Sequence, residues 1–542
     1  MRTRRTLRIL SLLLILVVGV VLLRPPNGDD GESTSARVGR VSARFVIKVA
    51  PGANHMPGTR PFGLGEPLQG YTQVSRLFEQ RFPDTRIEMI TVPSVREYLV
   101  TQLSSSAAPD IVSVNVEDVW VDVQKGWYVP LDRYLNRPNP FVVEKGDIDA
   151  PGSIQWWDMF VYQALSRGKA APDGKNYCLT LSAVETGIFY NRTFFREHGL
   201  EEPRNWVEFL QVLQAIRDED RIPLLVGLQS LADWGTDLIF DQLYYDLLPG
   251  IDLIKDPARE GYLEGYLDGE ELAFLLSKGF FTRGDPRWVE MTRLMKELRP
   301  YLPRNMVDEG YMREFLTQRG ILLWASSQST FPIWADKDLG FEWGVFYLPA
   351  MTTETTSFAA GRPMCVIGGA AQQLEVTNSA LADTDPALPF EERLEKSERL
   401  KRVIAFLQFL SLPEHTDMVV NEYPCFLPNI VGVQGLPQLE PFEAILTRRY
   451  TTTKWVFAFD LRFRDLMTRM LGLFLEDGID LEGYLRWQED NIRSSGNSLV
   501  RRQGIDFGVF EQRWKELAPM RADMNGLPAS VSLSLEPRET DR

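Results

Sequence analysis

The sequence predicts an α/β protein built as two lobes, and three observations carry that expectation. Strand-like and helix-like segments alternate at short spacing, the signature of sheets flanked by helices. The alternation restarts in mid-chain after a first complete set. The 542 residues also exceed what one hydrophobic core holds.

The first strand is the β-rich run 45–50, which breaks at Pro51-Gly52. Apolar residues spaced by three and four over 71–82 predict an amphipathic helix, stopped by Pro83-Asp84. A second strand over 86–92, a helix over 95–103 and a third strand over 111–115 complete the first set. The second set opens with strands at 177–182 and 187–191. A helix follows, capped by Asn205 with Glu208 in capping-box relation, and then a strand at 223–227. The chain reads as mostly helical from 235 to 320. Strands return at 320–325, 343–349 and 365–368, and helices dominate 394–412 and 440–520. The polar tail after Leu527 reads as disordered.

Composition narrows the function classes. A net charge of −15 repels phosphate backbones and acidic lipid, which argues against a nucleic-acid partner. Cys178, Cys365 and Cys425 form no C-x-x-C and share no ligand spacing with His55, His198 and His415, so neither a metal site nor a cofactor is expected. Buried thiols are favoured, with one disulfide open in an oxidising compartment. Thirteen Trp direct attention to aromatic-lined pockets.

Residues 1–24 place Arg2, Arg4, Arg5 and Arg8 before an apolar run from Ile9 to Leu23. A basic start before an apolar stretch is an export signal. No small-x-small cleavage site follows closely, which favours an uncleaved N-terminal hydrophobic helix acting as signal anchor over a cleaved signal peptide. The Gly-, Ser- and Asp-rich stretch to residue 43 reads as a flexible tether. The remainder is expected outside the cytoplasm, in the periplasm or at the cell surface.

Several stretches carry a resemblance, in order along the chain: AAPDIVSV (107–114), KGWYVPLDRYL (125–135), GIFYNRTFFREHGLEEPRNWVEFL (187–210), FLTQRGILLWA (315–325), FEWGVFYLP (341–349) and IAFLQFLSLPEH (404–415). Together they resemble the extracellular solute-binding proteins of sugar-type ABC importers, the family containing maltose-binding protein. The loop over 51–70 is longer than that pattern, and the lipoprotein cysteine common in relatives is missing. The resemblance implies a two-lobed periplasmic-binding-protein clamshell, each lobe a mainly parallel sheet flanked by helices. It places 44–182 and 328–370 in the first lobe, 183–327 and 371–520 in the second, and 521–542 in a tail. A sugar or oligosaccharide would enter the interlobe cleft and pass to ABC permease subunits, the binding protein acting as a monomer.

A sugar needs rings to stack on its C–H faces and short polar groups for its hydroxyls. Such groups belong where strands end at the cleft. Asn54 and His55 follow the first strand; Asn115, Glu117 and Asp118 follow the third. Glu185 and Thr186 mark a first lobe crossing, Trp324, Ser326 and Ser327 a second, and Gly368 with Gly369 a third. Asp233 and Trp234 follow the strand ending at Gly227, and Trp234 and Trp324 are the preferred stacking rings. Each has a plainer role open to it: core for the tryptophans, helix caps or solvated charges for the acids, relief of hinge strain for the glycines. Two other functions stay open, a tethered ligand sensor and a polysaccharide-active enzyme. No G-x-S-x-G, H-E-x-x-H or phosphate-binding glycine loop favours the enzyme.

Overall fold

The computed structural model describes residues 43–535 apart from 93–95, 106, 115–118, 120–121, 162–170, 172, 255–266, 307–310, 362–367 and 447–451. The expected apolar anchor and nearly all of the tether lie outside these residues, as do Asn115, Glu117, Asp118 and Cys365. Among the described residues no helix is long and apolar enough to cross a membrane.

Nine described strands form one sheet: β1 (Phe45–Ala50), β2 (Thr85–Met89), β3 (Ile111–Val112), β4 (Cys178–Asn191), β5 (Ile222–Leu225), β6 (Gly320–Ser326), β7 (Trp343–Phe346), β8 (Gly368–Val376) and β9 (Leu427–Pro428). Their order is β2-β1-β3-β8-β4-β6-β5, with β7 and β9 also paired to β4. The class is the expected α/β one, with helices packed around the strands. The sheet itself is mixed. β1 runs parallel to β2 and β3, and β5 parallel to β6, whereas β8, β6, β7 and β9 pair with β4 antiparallel.

The two strands expected at 177–182 and 187–191 are one strand, β4, whose 14 residues serve both lobes. Its first part pairs with β8 as far as Glu185↔Gly368, and its second part pairs with β6 from Thr186↔Ser326. The polar residues between the two apolar runs imitate a loop in sequence. In the fold they lie inside the sheet, where strand pairing satisfies their backbone groups. The register with β8 shifts around Ser182, an irregularity of the kind that bends a strand.

Helices follow from apolar spacing. The helix Gly70–Arg81 buries Tyr71, Val74 and Phe78, one stripe of a 3.6-residue period. In the helix Trp206–Asp218, Asn205 Oδ1 accepts from the Glu208 N–H at 2.9 Å. Glu208 itself accepts from the Arg204 N–H at 2.9 Å, one residue before the position a capping box would use.

Two large apolar cores sit on the two parts of the sheet. The first gathers Ile47, Val49, Phe78, Ile111 and Leu181, together with Leu374, Phe406 and Ile430. The second gathers Ile188, Trp206, Phe240, Trp288, Phe346, Trp455 and Phe474. The expected lobe boundaries are corrected accordingly. Residues 374–430, assigned from the sequence to the second lobe, pack in the first, because β8 runs from the crossing back along β3. Phe346, Leu348 and Met351, assigned to the first lobe, pack in the second through β7. The tail is corrected too. Ala529–Leu535 is a helix, and Leu527 and Val531 are buried in the second core. The alternation of small polar and apolar residues in ASVSLSL hides that anchoring.

Candidate functional site

The carboxyl ends of β1 and β3, and the chain just after β2, open on a cavity of about 480 Å³, within the range that holds a small ligand. Gly52 turns the chain out of β1 with φ +84°, and a Cβ there would meet Ser113 Oγ at 3.3 Å. Glycine therefore lets this loop pass close over the end of β3. Asn54 and His55 come next, on the cavity's wall. Asn54 is exposed. His55 is buried and stacked on Phe426, ring centroids 4.8 Å apart at 27°. Burial pushes its imidazole down to about 3, so the ring is neutral at physiological pH.

Ala371 and Gln373 of β8 close the cavity on the sheet side, and Asp122 and Tyr128 line it below. Asp122 is fully buried and accepts from Lys125 Nζ at 2.8 Å. Nothing in the sequence singles out Gln373, Asp122 and Tyr128. Gln373 lies inside β8, paired with Thr180 of β4, and Tyr128 is brought in by its bridge to Thr377 just past β8.

At the crossing the fold assembles six expected residues. Glu185 pairs across to Gly368 and Thr186 to Ser326. Glu185 is buried, its Oε2 3.1 Å from the Tyr347 hydroxyl. Ser327 Oγ donates to the Cys425 carbonyl at 3.2 Å. Gly369 is the next residue of β8, opposite Val184. A Cβ on Gly369 would lie 3.4 Å from Lys454 Nζ, which donates to the Gly368 carbonyl. Lys454 has no sequence signal. It arrives on a strap held by Asp241, accepting from the Thr452 N–H, and Asp237, accepting from the Trp455 N–H. Burial pushes the Asp237 carboxyl well above the usual range, against the pull of that N–H.

The second-lobe candidates divide. Asp233 and Trp234 lie on a π-helical turn, Leu231–Gly235, after β5, a feature common at functional sites. Asp233 Oδ2 accepts from Arg464 at 2.6 Å, and Trp234 is half-buried. Trp324 is 3% exposed and belongs to the second core, with the Trp234 ring 6.4 Å away and tilted at 47°. Cys178 and Cys425 are buried, with neither in a disulfide.

Comparison with known proteins decides the family. The profile of the bacterial extracellular solute-binding proteins matches residues 64–377, more than half of the chain. The chain belongs to this family. It is therefore an extracytoplasmic protein of a solute-binding family. A multiple sugar-binding protein of Streptococcus mutans is 23% identical over 154 residues, 28% of this chain and 31% of that protein. The chain thus spans about a third of that curated relative. Among solved structures, a chitin oligosaccharide binding protein superposes with a TM-score of 0.57 at 16% identity, covering 83% of this chain and 99% of its own. The raffinose complex of RafE gives 0.53 at 16%, with 84% and 99% covered. At such identity these two show the shared fold.

Proposed function

We propose that this solute-binding protein captures an oligosaccharide between its lobes, outside the cytoplasm, and presents it to the permease of an ABC importer without chemical change. The cavity at the strand ends of the first lobe is the observation that carries this reading. It offers short polar groups beside an uncharged ring, as a neutral polyhydroxylated ligand requires. The names of the relatives, which bind sugars, support the same class.

In this reading Asn54 and His55 hold the ligand from the first lobe, with Asn115, Glu117 and Asp118 after β3. Glu185, Thr186, Ser326, Ser327, Gly368 and Gly369 form the floor at the crossing. Asp233 and the open face of Trp234 approach from the second lobe. Ligand favours closure only by contacting both lobes better when closed. The protein acts as a monomer, tethered by residues 1–24 as an uncleaved anchor.

Thermal melting of the protein against mono-, di- and oligosaccharides tests the proposal. A ligand at a hundred times its dissociation constant adds about 2.7 kcal/mol, a shift of a few degrees in a chain of this size. A shift with one saccharide class, and intact saccharide afterwards, is the expected result. No shift with any saccharide overturns the sugar assignment, and consumed saccharide overturns the binding-only role.

A further inference from the structure

The first-lobe cavity is lined by two chemically different sets of residues. Asn54, Ser113 and Gln373 are among the polar ones. Leu99, Val100 and Leu103 line it from the helix Arg96–Ser104 as an aliphatic wall, joined by Val92 and Val112. Leu99, Leu103 and Val112 belong to one small apolar cluster with Tyr128, while Val100 is half-buried. Positions 99, 100 and 103 share a helical face, so the wall is a property of the helix.

An aliphatic wall discriminates among sugars. A hydroxyl laid against it loses its water and finds no partner, whereas a methyl group loses nothing and removes apolar surface from water. Charge is discriminated as well. Among the described lining residues the one carboxylate, Asp122, is already paired with Lys125, and none of them is Lys or Arg. A charged ligand group placed against these described residues would be desolvated with no counter-ion among them.

Building on the oligosaccharide reading, we infer that this cavity selects an uncharged saccharide unit bearing a methyl group, whether of an acetamido or a 6-deoxy substituent, seated against Leu99, Val100 and Leu103. Its hydroxyls then face Ser113, Gln373 and Asn54 across the cavity.

Calorimetric titration of the full-length protein with matched saccharides tests this. One pair is N,N′-diacetylchitobiose against cellobiose; the other is L-rhamnose against L-mannose. The methyl-bearing member of at least one pair is expected to bind about tenfold tighter or more, and the pair that shows the preference identifies the substituent. Val100→Thr keeps the side chain's shape but replaces a methyl with a hydroxyl, so it should reduce that preference severalfold at little cost to the melting of the unliganded protein. Equal binding within both pairs, or a preference that survives Val100→Thr undiminished, overturns the inference and leaves the sugar assignment standing. Failure of every saccharide to bind overturns both.

Discussion

At the strand ends of the first lobe, β1 and β3 open on a cavity of about 480 Å³. After β5 in the second lobe the chain instead forms a π-helical turn, with Trp234 6.4 Å from Trp324 and Asp233 paired to Arg464. The two lobes share β4, so the difference lies in the segments that leave the strands. In the first lobe Pro51-Gly52 turns the chain aside and leaves room. In the second, Gly227 leads directly into helix. On the proposed function recognition is then asymmetric: the first lobe would supply a shaped recess, and the second a surface that closes on what the recess holds.

Trp324→Ala makes the largest expected change. It opens a cavity in the second core and should cost the unliganded protein about 3–5 kcal/mol in urea or thermal unfolding. Trp234→Ala, at a half-buried ring, should cost distinctly less and act mainly on ligand affinity. A Trp324→Ala protein that melts normally but no longer binds would place that ring at the ligand site and erase the asymmetry.

The same contrast sets how much is legible in the sequence. Strand positions are legible wherever β-rich apolar runs meet Gly or Pro, as at 45–50. The cavity-lining residues at 54–55 come from that boundary, since a ligand site at strand ends needs only the end of the strand. Glu185 and Thr186 are legible as a crossing although the strand through them is not, because buried polar residues in a sheet resemble a loop. Trp324 is ambiguous in sequence because an aromatic at a strand end reads the same whether it serves the core, where it is buried, or a ligand. Lys454 and Gln373 give no local sign at all. Their places depend on pairings hundreds of residues apart along the chain.

His55 gives a second, smaller effect, confined to the first lobe. Its imidazole titrates at about 3 in the folded protein and near 6.5 when unfolded. Between those values the unfolded chain binds the extra proton, so stability falls as pH falls below about 6.5. From pH 7 to pH 5 the loss attributable to His55 is about 2 kcal/mol. His55→Phe keeps an aromatic ring against Phe426 and removes the titration. Its stability should therefore decline less than the parent's over that range by about this amount. Parallel pH profiles would mean that water or ligand reaches the ring, and that the recess is more open than its burial indicates.

The smallest effect belongs to the charged pair of the second lobe. Asp233 and Arg464 are 12% and 34% exposed along their side chains, so solvent screens much of their attraction. Asp233→Asn should cost less than about 1 kcal/mol in unfolding experiments. Part of even that is returned, because the negative charge at Asp233 opposes ionisation of buried Asp237. Affinity is the sharper readout. If Asp233 only braces the π-helical turn, the Asn variant binds saccharide nearly as the parent does. If affinity falls tenfold with melting unchanged, the second lobe contributes a directed polar contact, and the division into recess and closing surface gives way to recognition from both sides.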